Sequence, residues 1–279
     1  MTVSNFSIEF YPPHTAAGEA RLDAVHAELS QLDPDFFSVT YGAGGSTRHG
    51  TRQLVMKYQA QGSEIAPHLS FSGLNEDGVL ELLHSYLNAG ISRLVALRGD
   101  IPSGSGTSVH SRYASELVEF IRHKTGDAFH IEVACYPEIH PEARSYAADV
   151  NYFKDKVEAG ANSAITQYFY NADAYFHFRD YCAKQGIGIP IVPGIMPITN
   201  YQNLARFSIK CGAEIPQWLG RKLETFGEDT AGLRTYGLEV VSELCERLLV
   251  GGAPGLHFYS MNLAGCVKAL WDNLSLSDR

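Results

Sequence analysis

Leu94-Val95-Ala96-Leu97 is an apolar run that stops abruptly at Arg98-Gly99-Asp100, followed by the loop Ile101-Pro102-Ser103-Gly104-Ser105-Gly106. A buried strand that delivers both signs of charge at its end is costly unless those charges meet something. In parallel α/β folds ligands bind at the C-terminal ends of strands. Arg98 and Asp100 therefore either address a ligand or pair with each other and cap the next helix, and this stretch alone leaves both open. Glu9 is the second chemical group. It lies in Ser7-Ile8-Glu9-Phe10-Tyr11, among apolar and aromatic neighbours. A carboxyl desolvated by such groups can carry a proton near neutral pH and serve as a general acid. A lysine or arginine facing it would instead neutralise it.

Other motifs are weaker. Gly42-Ala43-Gly44-Gly45 is followed by Thr47 where a dinucleotide fingerprint needs its third glycine, so a tight turn beside a ligand is expected instead. His68 and His140, with Glu138 or Asp100, have neither H-x-H nor H-E-x-x-H spacing, and no metal is expected. Cys135 sits inside an apolar strand and should pack. Lys156, with Asp155 and Glu158 nearby, reads by itself as a solvated surface charge.

These groups need elements to hold them. Ser7 to Tyr11 alternates, with Phe6, Ile8 and Phe10 on one face and Ser7, Glu9 and Tyr11 on the other. Further strands are expected at 36–41, 65–70, 91–97, 130–136, 163–167, 189–193 and 255–259. Helices are expected over 17–32, up to 61, and over 76–88, 113–123, 146–159, 172–184, 201–209, 233–249 and 263–274, with 212–230 irregular. Strands alternating with helices imply a parallel sheet. Eight strand–helix units over this length fit a closed (β/α)8 barrel, a TIM barrel of the α/β class forming one domain over residues 1–279. A doubly wound open sheet is the alternative.

In a barrel the strand ends converge on one mouth. Glu9 and Tyr11, Thr40 and Tyr41, His68, Arg98 and Asp100, Tyr136 and His140, Gln167, and His257 with Tyr259 would meet there. A sequence that merely filled a core would not gather so many hydrogen-bonding groups at one end.

Composition narrows the partners. The 279 residues are 45% hydrophobic with a formal net charge of −9 and no basic block, which argues against nucleic acid or an anionic membrane as the main partner. No apolar run approaches the ~20 residues of a membrane span. No secretory signal is visible at the start, and the five cysteines are scattered without CxxC spacing. Free thiols in a reducing cytoplasm are expected.

Taken together, Ser7-Ile8-Glu9-Phe10-Tyr11-Pro12-Pro13, Ser38-Val39-Thr40-Tyr41-Gly42-Ala43, Ala66-Pro67-His68-Leu69, Ala96-Leu97-Arg98-Gly99-Asp100, Tyr136-Pro137-Glu138-Ile139-His140-Pro141-Glu142-Ala143, Ala161 to Gln167, Pro193-Gly194-Ile195-Met196-Pro197 and His257-Phe258-Tyr259 resemble 5,10-methylenetetrahydrofolate reductase, in the family's order and spacing. The resemblance implies a barrel carrying non-covalent FAD. It implies reduction of methylenetetrahydrofolate to 5-methyltetrahydrofolate, which supplies methyl groups for methionine synthesis. The route is ping-pong: NADH or NADPH reduces the flavin and leaves, and folate then enters the same space. Glu9 matches the family's proton donor, which helps open the methylene bridge to an iminium. Asp100 matches a carboxylate beside flavin and pterin. Flavin contacts map to Tyr41, Ala43, His68, Arg98, Gly99, Asp100, Tyr113, Ala114, Tyr136, His140, Ala143, Asp149 and Lys156, where the ammonium would meet the phosphates. Substrate contacts map to Thr40, Asp100, Gln167, Asn203 and Phe207. A homo-oligomer is implied because relatives commonly assemble.

Some positions depart from the family. Tyr152 and Asp155 stand where bacterial relatives often have Asn and a basic residue near the adenosine half. Leu263 follows Met261-Asn262 where an Arg can meet the folate tail, and Asn203 replaces a frequent Gln. The end at Arg279 implies that the regulatory domain of the eukaryotic enzymes is missing, and with it control by S-adenosylmethionine. The competing reading is a barrel lyase or aldolase using Glu9 as acid and base. It would be colourless, and would give Tyr136 to His140 and Lys156 no task.

Overall fold

The computed structural model describes residues 5–41, 48–72, 74–99 and 113–278. The elements follow in order: β1 Asn5–Phe10, α1 Ala16–Leu29, β2 Phe36–Val39, α2 Arg48–Ala60, β3 Ile65–Leu69, α3 Glu76–Asn88, β4 Arg93–Ala96 and α4 Ala114–Thr125. Then come β5 His130–Cys135, α5 Tyr146–Glu158, β6 Ser163–Thr166, α6 Ala172–Lys184, β7 Ile191–Val192 and β8 Gly194–Ile195. The chain continues through α7 Tyr201–Cys211, α8 Gln217–Glu224, α9 Thr230–Val250, β9 Gly255–Tyr259 and α10 Ala264–Asn273.

Every strand pairing is parallel, in the order β7-β6-β5-β4-β3-β2-β1-β9-β8. The β7 and β8 segments are one stave interrupted at Pro193. Ile191 and Val192 pair with Ala164 and Ile165 of β6, whereas Gly194 and Ile195 pair with His257 and Phe258 of β9. Proline has no N–H to give the ladder, but the Pro193 carbonyl accepts from His257 at 2.8 Å, so the ring closes through this residue. The expected (β/α)8 barrel is observed. The open sheet is excluded because the edge strands meet.

The two faces of each strand part as period-two alternation requires. Phe10 points outward, stacking on Phe37 at 5.2 Å and meeting His26 of α1 and Tyr58 of α2 edge-on. Phe6 meets Trp271 of α10 at 5.8 Å. The barrel interior holds a separate small apolar cluster of Phe36, Ala66, Val95 and Ile165, with Leu97 against it. Below that cluster, at the strand starts, is a charged floor. Glu132 accepts hydrogen bonds from Arg93 and from the Ser163 hydroxyl, and His130 lies 3.2 Å from it. Arg93 also covers the Phe36 ring at 4.5 Å.

Several sequence expectations need correction. Residues 212–230 are not irregular throughout, because α8 occupies Gln217–Glu224. Its apolar residues Leu219 and Leu223 are spaced one turn apart and buried, a pattern too short to stand out from the polar sequence around it. The helix read over 17–32 ends at Leu29 and closes with a 3-10 turn over Ser30–Leu32. Strands ended sooner than their apolar runs suggested. Thr40 and Tyr41 lie just beyond β2, and Leu97 and Arg98 just beyond β4, so these residues belong to the mouth loops.

Candidate functional site

The mouth is organised around Glu9. Its carboxylate lies 3.3 Å from His68 Nε2 of β3 and 3.6 Å from His257 Nε2 of β9. No lysine or arginine is paired with it among the described residues; two imidazoles flank it instead. His257 is fully buried, and its Nδ1 hydrogen-bonds the Ser7 hydroxyl at 2.7 Å. Ser7 and His257 are register partners in the β1–β9 ladder, and Ser7 shares the inward face with Glu9. The line Ser7–His257–Glu9 thus follows from strand pairing alone. Neither His68 Nε2 nor His257 Nε2 has a hydrogen-bond partner among the described residues, although both are buried. Burial pushes the His68 imidazole down to about 4, against the pull of Glu9, so it is neutral near pH 7.

The tip of β1 is held by the turn that follows β9. The Ser260 hydroxyl donates to the Glu9 carbonyl at 2.5 Å. The Asn262 side chain accepts from the Tyr11 N–H at 3.0 Å and donates to the Tyr11 carbonyl at 2.8 Å. Met261 and Asn262 both adopt left-handed backbone, with φ of 52° and 56°. Asn tolerates that region well, and here its amide replaces a missing strand partner. Sequence reading did not assign Ser7, Ser260 or Asn262 to the site. Ser7 was recoverable from its spacing to Glu9, whereas the Asn262 clamp depends on a turn that no pattern announces.

Beside this centre lies a cavity of about 440 Å³ over the ends of β4 and β5 and the starts of α4 and α5. Tyr41, Arg98, Gly99, Tyr113, Ala114, Tyr136, His140, Ala143, Asp149 and Lys156 all line it. The family resemblance implies these residues as contacts of one flavin. Ala43 and Asp100 lie outside the described residues. His68 is not in the lining and stands beside Glu9 instead. Tyr152, which the family resemblance sets near the adenosine half, also lines the cavity, as do Glu142, Arg144 and Ser115, which no expectation assigns to it.

The polar groups of the cavity are held in place. Arg98 pairs with Glu142 at 2.7 Å, and the guanidinium holds that carboxyl below the usual range. Gly99 has φ of +79°, and a Cβ there would meet the hydroxyls of Ser72 and Ser70 at 2.2 and 2.6 Å, so only glycine fits. His140 meets the Tyr136 ring edge-on at 4.6 Å, and its backbone N–H donates to Asp149 at 2.8 Å. Burial pushes the Tyr136 phenol and the Asp149 carboxyl up.

Lys156 is not a solvated surface charge. It is half-buried, and its ammonium donates to the Ala134 carbonyl. Burial lowers its basicity, with Asp149 among the groups opposing. An ammonium has three donors, and its one hydrogen bond among the described residues uses a single one. Cys135 packs as expected: it is buried, its thiol approaches the Ile165 carbonyl at 3.8 Å, and burial pushes that thiol well up. Among the described residues no group of His, Cys, Asp or Glu is arranged to hold a metal ion. None of their helices is long and apolar enough to cross a membrane.

The residues read as substrate contacts lie around the mouth. Thr40 donates its N–H to the Phe10 carbonyl at 2.9 Å, and its own carbonyl accepts from Thr51. Gln167 is half-buried just past β6, and its side-chain oxygen accepts from the Tyr168 N–H at 3.0 Å. Phe207 on α7 is 43% exposed and stacks on Tyr168 at 6.3 Å. Asn203, also on α7, is exposed and accepts from Arg206.

Comparison with known proteins bears on this arrangement. The family model described as Methylenetetrahydrofolate reductase matches residues 2–275. The 5,10-methylenetetrahydrofolate reductase of Escherichia coli (strain K12) is 38% identical over 273 residues, spanning 98% of this chain and 91% of the bacterial protein. Methylenetetrahydrofolate reductase (NADH) 1 of Arabidopsis thaliana is 36% identical over 287 residues, spanning 98% of this chain and 48% of the plant protein. A solved structure described as an uncharacterized protein from Clostridium thermocellum that binds two copies of 5-methyl-5,6,7,8-tetrahydrofolic acid aligns with a TM-score of 0.64 at 18% identity. It covers 98% of this chain and 93% of that one, and the likeness is one of fold.

Proposed function

The chain belongs to the methylenetetrahydrofolate reductase family, and on that premise we propose that it reduces 5,10-methylenetetrahydrofolate to 5-methyltetrahydrofolate with FAD as resident cofactor and NADH or NADPH as electron source. The observation that carries this reading is one juxtaposition. A carboxylate flanked by two buried imidazole nitrogens that have no hydrogen bond among the described residues stands at the tip of β1, at the same strand-end face of the barrel as a cavity of about 440 Å³ lined by Lys156, Arg98 and Tyr136. Cofactor sites commonly run from roughly 300 to 1,000 Å³ and combine apolar walls with a few fixed polar groups. Lys156, with donors to spare in a half-buried place, fits the diphosphate of a dinucleotide. Tyr136 and His140 offer ring edges and hydrogen bonds. FAD, when bound, would supply a hydride acceptor and donor linking the nicotinamide to the folate.

The reaction itself states what this chain must do. A methylene bridging two nitrogens becomes a methyl when one C–N bond breaks, the departing nitrogen takes a proton, and the carbon takes a hydride. Glu9 is the group placed to hold that proton. The Ser7–His257 pair fixes one side of its carboxyl, and neutral His68 fixes the other. A neutral His68 beside the carboxyl does not oppose its protonation as a lysine or arginine partner would. Ser260 and Asn262 lock the backbone that carries it. Gln167 and Phe207 border the mouth where nicotinamide and folate would take turns, the former by hydrogen bond and the latter by stacking. Asp100 is proposed to lie at the same site, by family resemblance.

The purified protein, kept anaerobic, tests this. It should show flavin absorbance that bleaches with NADH or NADPH and returns when methylenetetrahydrofolate is added. A protein that binds no flavin and yet turns over folate, or binds flavin that folate never reoxidises, would overturn the proposal. A lyase of this fold would need neither the cavity nor Lys156.

A further inference from the structure

No step above uses Glu138, yet its carboxyl is held in an unfavourable place. It lies in the loop after β5, between Tyr136 and His140, but outside the cavity lining that those two share. The side chain is half-buried, and burial, with Glu214 adding, pushes its carboxyl up to about 6. One hydrogen bond opposes that shift. Glu138 accepts the Glu214 N–H at 2.7 Å, from a residue 76 positions further along the chain.

Glu214 follows α7, the helix that carries Phe207 to the border of the mouth. Residues just past β6 hold the middle of this helix. Tyr168 stacks on Phe207 at 6.3 Å, and its hydroxyl meets the Ser208 hydroxyl at 2.9 Å. Glu138 holds the far end. α7 stops at Gly212, in left-handed backbone with φ of +74°. A Cβ there would stand 2.6 Å from the Pro141 ring and 3.3 Å from the Ile139 carbonyl. The chain leaving α7 therefore lies directly on the loop that bears Glu138, and glycine is what permits the approach. One carboxyl thus joins the cofactor side of the mouth to the helix on its other side.

We propose that Glu138 is a positioning residue for the folate: it latches the end of α7 to the loop after β5, and so fixes the Phe207 ring where it can stack on the substrate. This rests on the reading of Phe207 as a substrate contact. Glu138 itself touches neither folate nor flavin, and its effect passes through α7. The acceptor oxygen matters rather than the charge, because burial already opposes ionisation there.

Reoxidation of the NADH-reduced protein by increasing methylenetetrahydrofolate tests the latch. Glu138→Ala should raise the half-saturating folate concentration about tenfold, the scale of one lost hydrogen bond to a carboxylate. The limiting rate and the bound FAD should stay within about twofold. Glu138→Gln keeps an acceptor without the buried charge and should match the parent. Gly212→Ala, which drives the same two segments apart, should reproduce the loss. On a Phe207→Ala background Glu138→Ala should add less than about twofold, since the two residues act in series. Amide exchange reads the latch without substrate: the Glu214 N–H should exchange about tenfold faster in Glu138→Ala and at the parent rate in Glu138→Gln. An alanine variant with unchanged half-saturation, a glutamine variant as weak as alanine, or losses that add on the Phe207→Ala background would overturn the proposal. A parent protein that NADH bleaches but folate never reoxidises would instead sink the folate reading, and the task of Phe207 with it, whatever the exchange rates show.

Discussion

Two carboxylates stand inside this barrel, and they are treated in opposite ways. Glu132 on the floor is 1% exposed and has its oxygens filled by Arg93 and Ser163, with His130 beside them. Burial alone would raise its pKa, but those partners outweigh it and hold the group below the usual range. Among the described residues Glu9 at the mouth is paired with two imidazoles and no arginine or lysine, and their facing nitrogens have no hydrogen bond there. Buried polar groups are ordinarily satisfied, because each unmet one costs about 1–3 kcal/mol. The floor follows that rule and the mouth breaks it. A finished network rigidifies a core; an unfinished one is affordable where a ligand completes it.

The widest separation should come from removing one charge at each end. Glu9→Gln should slow reduction of methylenetetrahydrofolate about 10³-fold, the scale of a lost general acid, roughly 4 kcal/mol of barrier. Bleaching by NADH should persist, and stability should change by less than about 1 kcal/mol. Equal loss in both half-reactions would show that Glu9 does not act as proton donor. Glu132→Gln should do the reverse. Breaking a buried pair costs about 3–5 kcal/mol, so denaturant unfolding should shift strongly while the rate at low temperature stays within a few-fold. A floor variant as stable as the parent would mean that the network is ornamental.

The two ends should also fail at different pH. His68 is pushed down to about 4 by burial, from an ordinary 6.5. The unfolded chain therefore binds the proton more readily, and stability is full above 6.5 and is lost as pH falls toward 4. The loss should reach about 3 kcal/mol. His26, buried against Tyr58 and pushed down to about 4, adds to it from the helix layer. Glu132 is depressed from its ordinary 4.5, so its contribution persists above that value and is lost only below it. Unfolding free energies measured from pH 7 to pH 3 should show His68→Asn flattening the upper window and Glu132→Gln the lower one. A single shared transition in both variants would dissolve the distinction between the ends.

Much of this contrast was legible from the chain, and unevenly so. The barrel could be read because strand–helix alternation is a local signal repeated eight times, whereas the cavity residues were legible only through the family resemblance: Lys156 by itself reads as a surface charge. Glu9 stood out because a charge among aromatics is conspicuous. The floor did not, because Arg93, His130 and Glu132 look like ordinary polar positions until the β4–β5 register brings them together. Nor did the partners of Glu9: the reading left open a lysine or arginine, and only the pairing of the first strand with the last sets His257 against Ser7. Tyr152 read as a family departure. Only the packing of α5 against α4 shows the ring that it faces.

The smallest effects make the sharpest comparison, because a serine hydroxyl serves each end. Ser163 bonds both Glu132 and His130 in a closed network. Among the described residues the Ser7 side chain bonds His257, and that imidazole turns its other nitrogen toward Glu9. Ser163→Ala removes two hydrogen bonds and Ser7→Ala one, each worth about 1 kcal/mol net. In Ser163→Ala the loss leaves a buried carboxylate oxygen short of a donor, so it should appear in full as reduced stability, with the rate unchanged. In Ser7→Ala the ring is released instead. His257 can turn or change tautomer, so part of the loss should move from stability into the folate half-reaction, slowing it about threefold to tenfold with flavin bleaching intact. Measuring both quantities in both variants yields a crossed pattern if the mouth is built for proton transfer and the floor for rigidity. If the two serines prove interchangeable, the unfilled nitrogens beside Glu9 are a packing accident.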